Sequence, residues 1–200
     1  QSTAWVSEYE KWLLKADFSE AYRRYKINLQ LISNGDSRRW VLKDPSHLWA
    51  PEALLSTFPD ACIIQMHRDP CKLIPSVASL VYTTRQMVEP DIDKHRIGRR
   101  ELSQWSSLLS NLDLFRNNYS SSSIYDVSMD ELQQDPGAVI KGIYDHFSLN
   151  LQRNNFDAEI KKIVSNFRRD NLHSQKSHNY TPEEFGLTDE MIKKAFLYDN

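Results

Sequence analysis

The chain has 200 residues, 40% of them hydrophobic and 26% charged, which is enough apolar content to bury the core of one domain. A net charge of -2 provides no field for general binding to nucleic acid or to an anionic membrane, so an anionic ligand has to be met by a local basic pocket. No apolar run reaches transmembrane length, and Cys62 and Cys71 supply neither a disulfide framework nor a metal-like C-x-x-C spacing; burial as small hydrophobes is expected, with no metal.

In residues 3 to 33, Trp5, Tyr9, Trp12, Leu13, Tyr22, Tyr25, Leu29 and Ile32 recur at spacings of three and four. This predicts a long amphipathic helix or a broken pair, whose aromatic stripe packs on a core. Asn34, Gly35 and Asp36 end it in a turn. Trp40 to Leu42 is a short run of β-favouring residues and Ala61 to Met66 is a second, with helical spacing at Leu48, Leu54, Leu55 and Phe58 between them. Strand, helix, strand is half of an α/β nucleotide-binding layout, in which ligands sit beyond the carboxyl ends of the strands. Polar residues fall at both such ends, at Lys43 to His47 and at His67 to Asp69.

The second strand leads into a helix with Ser76 eight residues after Arg68. A helix entrance presents unpaired N–H groups and a positive dipole end, an arginine fork holds two phosphate oxygens at once, and a serine hydroxyl adds a donor. Pro75 inside a helix would remove a hydrogen bond at a cost of about 3 kcal/mol or more. A tight turn over residues 70 to 74, with the regular helix opening near Pro75, would avoid that cost and bring Ser76 to the helix N-terminus beside Arg68. His67 either stacks on a bound base or simply packs.

Residues 91 to 118 predict another long helix, with Leu102, Trp105, Leu108, Leu109, Leu112 and Phe115 on its apolar face, and 117 to 123 a polar loop. Ser128 with Glu131, and Thr181 with Glu184 around Pro182, read as capping boxes; Pro136, Asp157 and Thr188 open further helices. Basic pairs such as Arg99 with Arg100 and Lys161 with Lys162 read as solvated helix faces. No internal repeat is evident.

The pattern W-V-L-K-x-P-x-H-L, F-P-D-A, H-R-D-P and P-S-x-x-S-L in this order resembles the sulfotransferases that use 3′-phosphoadenosine 5′-phosphosulfate. In that family an arginine at a strand end and a serine eight residues on hold the 3′-phosphate. The similarity continues through Ile124 to Val127, Asp130 to Leu132, Asp135, Pro136 and Ile143 to Phe147, which look like the next strand and helices, and to His178, Tyr180 and Glu184 to Leu187. It implies a P-loop nucleotide-binding-like three-layer α/β fold with a parallel sheet and a mostly helical C-terminal part, residues 1–200 forming one partial domain. It also implies transfer of a sulfonate group to an acceptor hydroxyl or amine.

Arg68 and Ser76 are then cofactor-binding residues, with Lys176, His178 and Tyr180 resembling a lid over the adenosine bisphosphate. Lys43 and His47 resemble the catalytic lysine and histidine of a K-T-H-L-P segment, with the histidine displaced by two residues. Other branches take a glutamate from the N-terminal region as base. The plainer alternatives are an ion pair of Lys43 with Asp44 or Asp69, and a solvated His47 behind Ser46 as helix cap. Lys72 stands where cytosolic relatives usually carry aspartate.

The family's opening strand and P-R-S-G-T loop are not found; the five glycines are isolated. The chain, starting at Gln1, is therefore expected to be the C-terminal portion of a longer protein, or else a short form without that loop. The expected partner is a small-molecule, carbohydrate or lipid acceptor, with no nucleic acid and no membrane contact, in the cytoplasm, or in the Golgi lumen if an anchor lies upstream. The rival readings are a binding or scaffold fragment without chemistry and another P-loop phosphotransferase such as a nucleotide kinase.

Overall fold

The computed structural model describes residues 6–13, 15–118, 123–149, 155–172 and 180–197. The aromatic N-terminal region forms two helices, α1 (Ser7–Leu13) and α2 (Ser19–Ser33). Between them the Asp17 carboxylate accepts from the Ser19 N–H at 2.8 Å, which favours a new helix start over continuation. Asn34 and Gly35, at φ 46° and 82°, end α2 in the left-handed conformation that closes helices.

Trp40 to Leu42 do not form the expected strand. The backbone from 39 to 44 joins no ladder, and Val41 is 92% exposed. β-Propensity describes a side chain suited to a pleated, half-buried surface, and among the described residues no strand lies alongside to provide one. A 3₁₀ turn at Pro45–Trp49 follows, capped by Asp44, whose carboxylate accepts from the Ser46 N–H at 2.8 Å; the expected cap was Ser46. Then come α3 (Pro51–Thr57) and β1 (Ile63–His67), two residues later than the apolar run suggested.

The next helix also corrects an expectation. α4 spans Pro70–Arg85 and opens at Pro70, with Pro75 inside it. Asp69 dictates this start: its carboxylate accepts from the Cys71 N–H at 2.9 Å and its carbonyl from those of Lys72 and Leu73. Pro70 suits the first helical position, where no donor is needed. Pro75 deprives the Cys71 carbonyl of its partner, and burial of Pro75 beside Ile74 offsets that loss. Ser76 therefore sits in the second turn of α4, not at its N-terminus.

Helix α5 (Lys94–Asn118) carries the chain back to β2 (Ile124–Ser128), which pairs in parallel with β1, Ile63 opposite Ile124 and His67 opposite Ser128. Ser128 caps α6 (Met129–Gln134) and Asp135 caps α7 (Pro136–His146). α8 (Phe156–Leu172), a 3₁₀ turn at Glu183–Phe185 and α9 (Asp189–Leu197) complete an α/β fold with a two-stranded parallel sheet and a predominantly helical C-terminal part.

Two apolar clusters hold it together. Ile74, Ala78 and Val81 of α4 pack with Ile97 and Leu102 of α5, with Phe185 and Leu187, and with Ile192 of α9. A second cluster joins Leu55 of α3 to Leu112 and Phe115 of α5 and to Ile124 of β2. Both clusters include α5, so this helix ties the sheet to the C-terminal segment.

Candidate functional site

A cleft of about 420 Å³ opens where the two parallel strands end. His67 from the end of β1, Arg68, Asp69 and Lys72 from the entrance of α4 form one wall, and Ser128, Met129, Asp130 and Gln133 from the entrance of α6 form the other. Parallel strands deliver successive loops to the same sheet edge, and for that reason residues so distant in the chain converge. The side chains of Arg68 and Lys72 have no hydrogen-bond or ion-pair partner among the described residues. Two cations without a partner among the described residues, beside the entrance of a 16-residue helix, have the chemistry to hold an anion, with Asp69 already engaged as the cap.

Behind the cleft runs a polar network that sequence reasoning missed. His67 Nε2 lies 2.6 Å from Asp126 Oδ1, and Arg116 of α5 clasps the same carboxylate through both terminal nitrogens at 2.7 and 2.6 Å while also donating to Gln65. The strand register brings this about: Gln65 faces Asp126 and His67 faces Ser128, so Gln65, Asp126 and His67 share one face of the sheet. The only signal in the sequence is that both strands place polar residues at alternate positions, and register is not legible without the pairing.

Chiefly through the Arg116 hydrogen bonds, the Asp126 carboxyl is held down at about 2. A carboxylate depressed on folding adds stability above its unfolded value of about 4, and that stability is lost as pH falls from there through about 2. Both partners are partly exposed, so the contribution is modest. Urea unfolding midpoints of the natural chain should fall between pH 5 and 2 more steeply than those of Arg116→Met; equal slopes would show that the pair does not carry this dependence.

The remaining residues singled out in the sequence lie off the cleft lining. Ser76 follows Lys72 by one turn on the same side of α4, half-buried. His47 is half-buried against α2, its Nδ1 2.8 Å from the Tyr22 hydroxyl and its ring 5.8 and 6.1 Å from those of Tyr22 and Tyr25. Burial first, then the charge of Asp44 and the neighbouring Tyr25, pushes the Tyr22 hydroxyl up to about 12. It keeps its proton and can donate it to Nδ1, a partnership that the sequence, with 25 residues between the two, does not reveal. Lys43 is exposed on the extended segment and pairs with neither Asp44 nor Asp69 among the described residues. Tyr180 packs against the α4–α5–α9 cluster, while Lys176 and His178 lie outside the described residues. Among the described residues no group of His, Cys, Asp and Glu could hold a metal ion, and no helix is long and apolar enough to cross a membrane.

A sequence profile described as the sulfotransferase family matches residues 1–153. The chain belongs to the sulfotransferase family. Its fold is that of solved sulfotransferases: STF1 from Mycobacterium tuberculosis H37Rv superposes with a TM-score of 0.83 at 33% identity, covering 98% of this chain and 50% of that one. STF9 from Mycobacterium avium gives 0.80 at 27% identity over 96% of this chain and 49% of the other. Among curated sulfotransferases, the omega-hydroxy-beta-dihydromenaquinone-9 sulfotransferases of Mycobacterium bovis and Mycobacterium tuberculosis are each 24% identical over 153 residues, 75% of this chain and 38% of theirs. This sulfotransferase chain thus spans half or less of the length of the relatives it matches.

Proposed function

We propose that this chain carries the bisphosphate-binding part of a sulfotransferase site that moves a sulfonate from 3′-phosphoadenosine 5′-phosphosulfate to an acceptor hydroxyl or amine. The observation that carries this reading is the placement of two unpartnered cations, Arg68 and Lys72, at the carboxyl end of a parallel strand and the entrance of the following helix. That combination suits a phosphate dianion; it also fits the donor by size, since a cleft of about 420 Å³ falls in the range of small-ligand pockets. Arg68 grips the 3′-phosphate, with Ser76, one turn beyond Lys72, as an added donor, and Lys176, His178 and Tyr180 as further nucleotide-binding residues.

When bound, the donor supplies a sulfonate whose sulfur bonds to the acceptor oxygen or nitrogen as its bond to the bridging phosphate oxygen breaks. Lys43 then serves as the cation near the developing charge and His47 as the group that takes the acceptor's proton. For Nε2 to accept that proton, the Tyr22 hydroxyl has to accept from Nδ1–H, a rotation open to any hydroxyl. His47→Ala, in a protein with measurable turnover, is expected to slow turnover by about a hundredfold or more while leaving nucleotide affinity unchanged. Unaltered turnover would remove His47 as base. The relatives named for a menaquinone acceptor favour a hydroxylated lipid as substrate.

A binding part without turnover is the second reading, favoured by the placement of Lys43 and His47 off the lining of the cleft. Calorimetric titration with 3′-phosphoadenosine 5′-phosphate against 5′-AMP tests what both share. Preference for the bisphosphate by about tenfold or more supports the site; equal or absent binding sinks it.

A further inference from the structure

We propose that His67 is a third, proton-dependent ligand for the bound phosphate, held in place by Asp126 and Arg116, so that nucleotide binding draws a proton onto its ring. The inference rests on the reading of the cleft as a bisphosphate site and goes beyond it in assigning a residue and a linkage.

The argument begins with which ring nitrogen is occupied. Asp126 is an ionised carboxylate and only accepts hydrogen bonds. The 2.6 Å contact therefore requires His67 Nε2 to carry a hydrogen, and in the neutral ring Nδ1 holds the lone pair. His67 lines the cleft, half of its side chain is exposed, and Nδ1 has no hydrogen-bond partner among the described residues. A neutral Nδ1 offers a lone pair to an anion, which is repulsive; a protonated Nδ1 offers a charge-assisted donor. An incoming phosphate thus favours the imidazolium, and the proton comes from solvent.

The surroundings permit the added charge. Arg116 and Asp126 compensate each other, being joined by two hydrogen bonds, and Arg116 is further braced by Gln65. Around the cleft, Arg68 and Lys72 oppose the imidazolium, while Asp69 and Asp130 favour it. A polyanionic ligand reverses that balance by neutralising the two cations. Asp126 and Arg116 are positioning residues, since they touch the ring or its partner and not the ligand.

The test is calorimetric titration with 3′-phosphoadenosine 5′-phosphate at several pH values, each in two buffers of different ionisation enthalpy, for the natural chain and for His67→Gln. Glutamine keeps a donor for Asp126 and cannot titrate. The natural chain should take up more protons than the variant near pH 7, by up to about one. Replacement should weaken binding about tenfold near pH 6 and by less than about twofold at pH 8.5. Nitrogen NMR of the unmutated protein provides an independent arm, with the Nε2–H tautomer expected in the free chain and the imidazolium in the complex. Tight binding with equal proton uptake in both chains, or a ring that stays neutral in the complex, overturns the inference and leaves the cleft reading standing. Absence of any binding overturns both.

Discussion

Arg68→Glu should lose binding of 3′-phosphoadenosine 5′-phosphate by a factor of about 100 to 1000 while leaving the fold intact. The size of the effect follows from two changes at one atom position: a charge-assisted fork is removed and a like charge is set against the phosphate. The variant's fold is safe because Arg68 is exposed and its side chain has no partner among the described residues whose loss would be felt. Ser76→Ala is the graded comparison, since losing one neutral donor corresponds to roughly tenfold or less. Calorimetry with circular dichroism as the folding control reads both. Retained affinity in Arg68→Glu, with the spectrum unchanged, would mean that the cleft is not the phosphate site.

The second large effect concerns stability. Gly98 is buried on α5 where that helix crosses the 3₁₀ turn of the C-terminal segment, and an added Cβ would overlap the Phe185 carbonyl oxygen and stand 2.8 Å from the Phe185 Cβ. Two opposing terms decide the outcome of Gly98→Ala. Alanine in a helix interior gains up to about 1 kcal/mol over glycine. Overpacking against backbone that cannot yield costs typically 1–3 kcal/mol, occasionally more, and here it also disturbs Phe185, Leu187 and Ile97 at the centre of the larger cluster. A net loss of about 1–2 kcal/mol is expected for alanine and a larger one for Gly98→Val. Urea denaturation measures both; a stabilised alanine variant would show that the crossing is looser than the structure has it.

Particular residues show how far the sequence was readable. Arg68 was legible because its position depends on local order alone: an apolar run, a polar break, a proline, a helix. The errors arose where a cap residue or a distant partner decides. Trp40 to Leu42 have strand composition, yet a strand exists only with a neighbour, and the ladder here joins β1 to β2. Pro75 looked like a helix start because a proline inside a helix is costly; Asp69 and Pro70 together begin the helix five residues earlier, and the core accepts the proline. The sequence leaves His67 between stacking on a base and plain packing because Asp126, its partner, is 59 residues away and reaches it only through the parallel register.

The proline inside α4 also divides that helix mechanically. The segment before it, capped by Asp69, bears Lys72 at the cleft and enters the buried part of the apolar cluster only through Ile74 beside the proline, whereas the segment after it carries Ala78 and Val81 deep in that cluster. With the Cys71 carbonyl deprived of its donor at the junction, the cleft-side turn can open without unravelling the anchored remainder, as separate cooperative units do. Amide exchange along α4 would then fall into a fast block over Cys71 to Leu73 and a slow block beyond Pro75, and a ligand that seats against Lys72 would slow the first block alone.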